Sequence, residues 1–325
     1  MELSIIIPMY NGENYIERCL NSIYQNNNND SFEVLIINDG STDRSMNIIK
    51  KCKKKYNNLI IIDKQNEGVS ISRNIGIENS RGDYIMFVDA DDELKLGWYD
   101  EVKKYINQGE DIIYFSKHKL NDSKDNLLEY IIGCNDDEIC IAGPYSKLFK
   151  RNLLLRHHIQ FNHKIINGED MLFNIECLNH SRSIRVVNYS FYLYRIYVGQ
   201  TTKQFNDYIF ESDLYFHDEL KKHLDESSYD IQKMEILKNY CLSNAIIMLY
   251  DRISYINSFQ SAKDKINKLY LQPYNIADGK SVFKTKISKL KYLLYKYKLK
   301  KILYYLFKLS RKFKYSNDKE QFIEI

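Results

Sequence analysis

Apolar positions fall into four short, nearly unbroken runs in the first 93 residues: Leu3–Ile7, Phe32–Ile37, Leu59–Ile62 and Tyr84–Val88. Runs of this length, rich in Ile and Val, predict strands covered on both faces, as in a parallel sheet. Between them the apolar residues recur at helical spacing. In Asn14–Gln25 they are Ile16, Cys19, Leu20, Ile23 and Tyr24; in Asp43–Tyr56 they are Met46 and Ile49, extended by Cys52; Val69–Glu78 is a third helix. Strand-helix alternation predicts right-handed βαβ units and an open, mostly parallel sheet of the α/β class, doubly wound with helices on both faces. After residue 93 the pattern loosens. A polar stretch at 116–138 precedes the Gly143-Pro144 turn. Then come Tyr145–Leu155, the acidic Gly168-Glu169-Asp170, a helix over Met171–Leu178 and an aromatic run, Tyr189–Tyr197. Residues 206–325 read as helical, and no internal repeat is visible.

Composition narrows the class without naming a chemistry. A chain of 325 residues suits one large domain or two, and 44% apolar with 28% charged residues is ordinary for a soluble protein. The six cysteines include no CxxC pair, which fits reduced thiols better than a disulfide framework. The chain enters its first strand by Leu3 with no basic start before it, and no apolar run nears the ~20 residues that span a bilayer. A cytoplasmic location is the expectation. The net charge of +4 is uneven: 13 Lys or Arg and no acid lie between Gly279 and Asn317, leaving 34 basic against 43 acidic residues, a balance of −9, elsewhere. An acidic body with a basic tail suggests an anionic partner. In residues 284–314 lysines mix with Ile287, Leu290, Leu293, Leu294, Tyr297, Ile302, Leu306 and Phe307. Such a basic amphipathic helix suits an anionic membrane surface. The competing reading is a helix packed on the catalytic domain with its lysines solvated. No recognised motif supports nucleic acid.

Three of the four strands run into polar motifs: Pro8-Met9-Tyr10-Asn11-Gly12, Asn38-Asp39-Gly40-Ser41-Thr42-Asp43 and Asp89-Ala90-Asp91-Asp92. Ligands of open α/β sheets bind at the carboxyl ends of the strands. Asn38-Asp39-Gly40 reads equally as a turn, and Asp43 as the cap of the next helix. The cluster at Asp89–Asp92 is harder to explain structurally, because crowded carboxylates repel unless a cation joins them. Asp91 is placed to ligate Mg2+ or Mn2+, Asp89 to accept from ribose hydroxyls and Asp92 to cap the following segment. A metal held by few carboxylates shares its shell with phosphates, so a nucleoside diphosphate follows, with Asp39 accepting from a base N–H. Gly68 allows close backbone approach, and Arg73 is either a phosphate partner or a solvated helix arginine. The GxGxxG of dinucleotide-binding folds is absent after the first strand.

These segments resemble the family 2 glycosyltransferases with the GT-A fold. The likeness rests on Ser4–Asn11, Val34–Asp43, Asn66-Glu67-Gly68 with Ser72-Arg73-Asn74-Ile75-Gly76, and Tyr84–Asp92. The resemblance implies a GT-A catalytic domain over 1–205, with a nucleotide-binding half (1–93) and an acceptor half (94–205), followed by a helical region, 206–325, with the basic tail 279–317. It implies an inverting transfer from a nucleotide-sugar, usually UDP-linked. The donor would lie on Pro8, Tyr10, Asn11, Asp39, Gly68, Arg73, Asp89, Ala90 and Asp91, and the metal on Asp91 with Asp89. Gly168-Glu169-Asp170-Met171-Leu172-Phe173 matches the family's Glu-Asp motif, making Asp170 the catalytic base with Glu169 in reserve. The alternative is that Asp170 merely caps helix 171–178. Ser146–Arg151 and Tyr192-Leu193-Tyr194-Arg195 are also family-like, making Lys147 and Arg195 candidate contacts to acceptor or phosphate. Family members often carry Trp or Asn just before that lysine; here Tyr145-Ser146 stands there.

The expected function is metal-dependent hexosyl or N-acetylhexosaminyl transfer to a lipid-linked oligosaccharide for a bacterial surface or capsular polysaccharide, at the inner membrane face. The competing classes are a non-catalytic nucleotide-sugar or polyanion binding protein and a metal-dependent nucleotidyltransferase, which would release pyrophosphate.

Overall fold

Strands β1 (Leu3–Met9), β2 (Phe32–Asp39), β3 (Leu59–Lys64) and β4 (Tyr84–Phe87) lie side by side and parallel, in the order β3-β2-β1-β4. Ile5 of β1 is in register with Val34 of β2 and Met86 of β4. The structure is a computed structural model that describes residues 1–25, 31–135, 139–196, 205–225, 229–271, 286–310 and 321–325.

The unbroken apolar runs have a direct cause. Successive side chains of a strand point to opposite faces, and here each face meets its own helical layer. Ile5 and Ile7 of β1 join a core with α1 (Ile16–Tyr24), α2 (Ser45–Lys55) and α4 (Trp98–Ile106). Ile6, between them, joins the opposite core with α3 (Val69–Asn79), α5 (Lys124–Ile132), α6 (Arg151–Arg156) and α7 (Glu169–His180). Helix α3 lies directly on the sheet at Gly76, where a Cβ would come within 2.3 Å of the Ile6 side chain. The glycine in Arg73-Asn74-Ile75-Gly76 is therefore a packing requirement.

The sheet continues through β7 (Lys147–Lys150), β6 (Ile112–Phe115) and β8 (Ile184–Val187) to the seven-stranded order β3-β2-β1-β4-β7-β6-β8. Strand β7 runs antiparallel to both β4 and β6, and β8 is parallel to β6. The mostly parallel expectation holds, with one strand reversed. Helix α5 occupies much of the polar stretch expected to be irregular. Ser123 accepts from the Asn126 N–H at its start, and Gly133 ends it in the left-handed conformation.

Helices α8 (Asp207–Asp225), α9 (Ile231–Ile253), α10 (Phe259–Leu271), α11 (Lys286–Lys296) and α12 (Lys300–Ser310) follow. A third core joins Phe210, Leu249, Tyr250, Ile266, Tyr295, Tyr304 and Phe307. The all-helical reading of 206–325 fails at its end. Residues Gln321–Glu324 form β10, antiparallel to β9 (Tyr192–Ile196), which also pairs with β5 (Glu93–Leu94). The chain thus returns to a small three-stranded sheet, order β10-β9-β5, beside the acidic loop. Tyr197, residues 279–285 and residues 311–317 lie outside the described residues. Among the described residues no helix is long and apolar enough to cross a membrane.

Candidate functional site

The strand order reverses between β1 and β4, so their carboxyl ends open a crevice at the sheet's topological switch point. On one side the ends of β1 and β2 are tied together. Asn11 adopts φ 49°. Its N–H donates to Ser41 Oγ at 2.9 Å, and its side-chain oxygen accepts from the Thr42 N–H at 2.8 Å. Asp43 accepts from the N–H of Glu13 at 3.0 Å and from that of Ser45, the first residue of α2, at 2.9 Å. The cap position of α2 is Arg44, so Asp43 holds the start of the helix from one residue before the cap and cross-links it to the end of β1. Tyr10 projects half-exposed beyond the strand, whereas Pro8 lies buried inside β1 opposite Ile37.

Asp39 is buried at the end of β2. It accepts from the N–H groups of Glu67 and Gly68, each at 2.9 Å, and from the Lys64 ammonium. Burial alone would raise its pKa, but Lys64 and the two N–H groups hold it below the usual carboxylate range. Lys64 is a residue the sequence reading passed over. It ends β3 in register with Asp39, and one residue earlier on the same strand Asp63 accepts from Asn38. The signal was the Asp63-Lys64 pair at the end of the one strand credited with no motif. Gly68, at φ 98°, has open space where a Cβ would stand.

Helix α3, which starts on Asp39, carries Arg73 into the middle of the site. Arg73 is buried, with Nη1 2.7 Å from Asp170 Oδ1 and Nη2 3.0 Å from Asp89 Oδ1. Glu169 stands 3.8 Å from Nη1, and the guanidinium lies over the Phe161 ring at 5.1 Å. This corrects both readings of Arg73. It is not a solvated helix arginine, and its terminal nitrogens are engaged by carboxylates rather than turned to a phosphate. Burial works against its charge, yet Asp170, Asp89 and Glu169 keep it protonated. No local pattern in the sequence reveals such a long-range ion pair.

Glu169 and Asp170 open α7 after Gly168, whose φ of 97° and close approach to Phe216 exclude a side chain there. Neither carboxylate makes a side-chain cap bond; the cap position is Gly168. Burial raises both pKa values. The charge of Asp170 adds to the rise of Glu169, while Arg73 opposes the rise of Asp170. Asp170 and Asp89 each keep 27% of their side-chain surface open. The acidic loop and the Glu-Asp motif therefore share one crevice wall, joined by one guanidinium.

Asp92 does not cap the next segment. It is fully buried, accepting from the Tyr192 hydroxyl at 2.7 Å and the Arg195 N–H at 2.8 Å. Burial, then the charge of Asp89, pushes its pKa up to about 8. The Tyr192 hydroxyl also accepts from the Asp89 N–H. Arg195 holds the same loop from outside: Nε donates to the Asp91 carbonyl at 2.8 Å and Nη2 to Glu93 at 2.9 Å. Its guanidinium is sandwiched between the Tyr15 ring at 5.0 Å and the Phe322 ring at 4.3 Å. Lys147 is buried too, donating to the carbonyls of Ile141 and Gly143, and burial lowers its pKa to about 7. Lys147 and Arg195 are thus spent on the protein rather than turned toward an acceptor or phosphate. Tyr145, beside Lys147, stacks on Tyr192 at 5.1 Å.

Among the described residues no three His, Cys, Asp or Glu are arranged to hold a metal. Asp92 is committed elsewhere, and Asp89 gives one oxygen to Arg73. That leaves the other oxygen of Asp89, beside the partly exposed Asp91. Such a hard-oxygen, incomplete donor set fits Mg2+ or Mn2+ whose shell is completed by phosphate, not a metal caged by protein alone. Ala90, between them, lies 3.9 Å from where a Cβ on Gly12 would be, which sets the acidic loop against the end of β1.

Known proteins share this architecture. Residues 4–165 match the family described as glycosyl transferase family 2. EpsH of Bacillus subtilis is 25% identical over 302 residues, covering 88% of this chain and 86% of that protein. The poly(ribitol-phosphate) beta-glucosyltransferase of Bacillus spizizenii is 33% identical over 207 residues, covering 59% of this chain but 32% of the longer relative. The crystal structure of TarS residues 1–349 from S. aureus, in complex with UDP-GlcNAc, superposes with a TM-score of 0.67 at 22% identity, covering 98% of this chain and 93% of that one. At that identity the likeness is one of fold.

Proposed function

We propose, on the premise that this chain belongs to glycosyl transferase family 2, that it moves a sugar from a UDP-sugar to an acceptor hydroxyl with inversion. The observation that carries this reading is the Arg73 bridge, which sets Asp89 of the acidic loop and Asp170 of the Glu-Asp motif on one guanidinium. A donor seated on the acidic loop would then present its reacting carbon to Asp170. The Asp170 carboxylate takes the acceptor hydroxyl proton as the new C–O bond forms. The bond to the diphosphate breaks on the opposite side, and one displacement inverts the anomeric centre. Mg2+ or Mn2+ on Asp91 and Asp89 would stabilise the departing diphosphate. Arg73 opposes the rise that burial gives the Asp170 pKa, and Glu169, lacking so close a partner, stands in reserve.

A UDP-linked donor is supported by the fold shared with a UDP-GlcNAc complex. Two relatives are a poly(ribitol-phosphate) beta-glucosyltransferase and a poly(ribitol-phosphate) beta-N-acetylglucosaminyltransferase, which favours a surface polymer or its lipid-linked precursor as acceptor, reached from the inner membrane face. The test is single-turnover release of UDP from UDP-glucose and UDP-GlcNAc, with and without Mn2+. Release in the presence of acceptor polymer, lost in Asp170→Asn, is the expected result. Pyrophosphate release instead would make the chain a nucleotidyltransferase.

A further inference from the structure

The described part of the basic tail, residues 286–310, forms two short helices rather than one amphipathic segment, and each is apolar on two sides. The inner sides are used: Tyr292 and Tyr295 of α11 and Leu303, Tyr304 and Phe307 of α12 are buried in the third core. Tyr295 donates to the Leu269 carbonyl and Tyr304 to that of Ile256, fixing both helices in place. The outer sides are not covered. Leu290 and Leu293 of α11, with Tyr297 one residue past its end and still bonded through its N–H to the Leu293 carbonyl, and Ile302, Tyr305 and Leu309 of α12 are all exposed, from 37% at Leu293 to 68% at Tyr297. Both triplets have the spacing i, i+3, i+7, which gathers three side chains on one face of a helix. Both helices rest on α9, so the sides turned away from it share an outer surface. Scattered exposed apolar residues are normal, but two matched triplets on adjoining helices form a patch that calls for a partner.

Charge identifies that partner. Lys298, at the turn between the helices, and Lys301 are exposed beside the patch, and the whole stretch 279–317 contains no acid. An apolar face with lysines beside it complements an anionic lipid surface, where the rings and aliphatic chains enter the headgroup boundary and the ammonium groups stay with the phosphates. We propose that the outer face of α11 and α12 is a preformed docking surface for an anionic bilayer, with the inner face anchoring it rigidly to α9. The inference rests on the reading of the tail as meeting an anionic surface, and adds which side chains meet it.

The test is flotation of the full chain with phosphatidylcholine vesicles, with and without 30% (about one lipid in three) phosphatidylglycerol, a composition typical of an anionic leaflet. Two variants accompany the wild type, Leu293→Ser with Ile302→Ser and Tyr305→Ser, and Lys298→Glu with Lys301→Glu. All five positions are solvent-exposed, so thermal unfolding should be unchanged. The wild type should bind anionic vesicles and leave neutral ones largely unbound. Each variant should lose about tenfold or more in partitioning. If the wild type does not bind anionic vesicles, the membrane reading of the tail fails outright. If it binds and both variants bind equally well, that reading stands but this face is the wrong one. A dimer in light scattering that the serine variant abolishes, without vesicle binding, would give the face to a second copy of the chain.

Discussion

Asp89 and Asp170, at the ends of a strand and the start of a distant helix, are held by the two terminal nitrogens of the same buried arginine, at 3.0 and 2.7 Å. Removing that arginine leaves partly buried carboxylates facing one another with no compensating charge. Arg73→Met should therefore destabilise the fold by about 3–5 kcal/mol at neutral pH. Part of the loss should return at pH 5, where the raised pKa values of Glu169 and Asp170 let them take up protons. Urea unfolding at the two pH values reads this directly. Equal destabilisation at both would mean that the carboxylates are not what Arg73 compensates.

Asp170→Asn keeps an acceptor for Arg73 but cannot take a proton. Turnover should fall by about 10²–10⁴-fold, while UDP affinity in titration calorimetry stays close to that of the wild type. Normal turnover would remove Asp170 from the chemistry and turn attention to Glu169.

Asp91→Ala should cost donor affinity only when metal is present. In the wild type, Mn2+ should deepen the thermal stabilisation given by a UDP-sugar, since ligand bound to the folded state stabilises it by mass action. In the variant the two curves, with and without Mn2+, should coincide.

Asp92 gives the fold a pH dependence of definite sign. Its carboxyl ionises near the ordinary 3.8 in the unfolded chain and near about 8 in the folded one. Between those values the folded chain holds a proton that the unfolded chain has lost. The stabilisation is complete below the lower value and is lost as pH rises towards the upper one. Glu169 and Asp170 act in the same direction. Chemical denaturation from pH 5 to 9 (~four steps) should show stability falling with pH, less steeply in Asp92→Asn. A slope unchanged by the substitution would place the proton elsewhere.

The first four strands and three helices were readable because each strand is apolar on both faces and each helix on one. The short strands β6, β7 and β8, of four residues each, were not. An isolated run such as Ile112–Phe115 has too few positions for a period to declare itself. Helix α5 did announce itself, through Ser123 and Gly133, but its polar surroundings hid it. At the site, Asp39, Asp89, Asp91 and Asp170 were legible as motifs at element ends. What was not legible was where the cations point. Arg73, Lys147 and Arg195 all turn inward, and only long-range packing, invisible in local sequence, decides that.

Phe322→Ala tests a contact no sequence pattern suggested. It removes the ring against which Arg195 packs, while β10 keeps its backbone pairing. The expected cost is about 0.5–1 kcal/mol of stability, with a severalfold loss of metal-dependent donor affinity, because Arg195 holds the Asp91 carbonyl. Unaltered donor affinity would confine β10 to a purely architectural part.

The paired bonds between Asn11 and the Ser41-Thr42 turn make the first two strand ends a single stiff jaw. Neither loop can swing without breaking both contacts at once. Opposite it, Asp170 sits at the start of a helix and is itself tied to α3 and to the acidic loop through Arg73. Redesign of sugar preference should accordingly leave both fastenings, the Asn11 clasp and the Arg73 bridge, untouched.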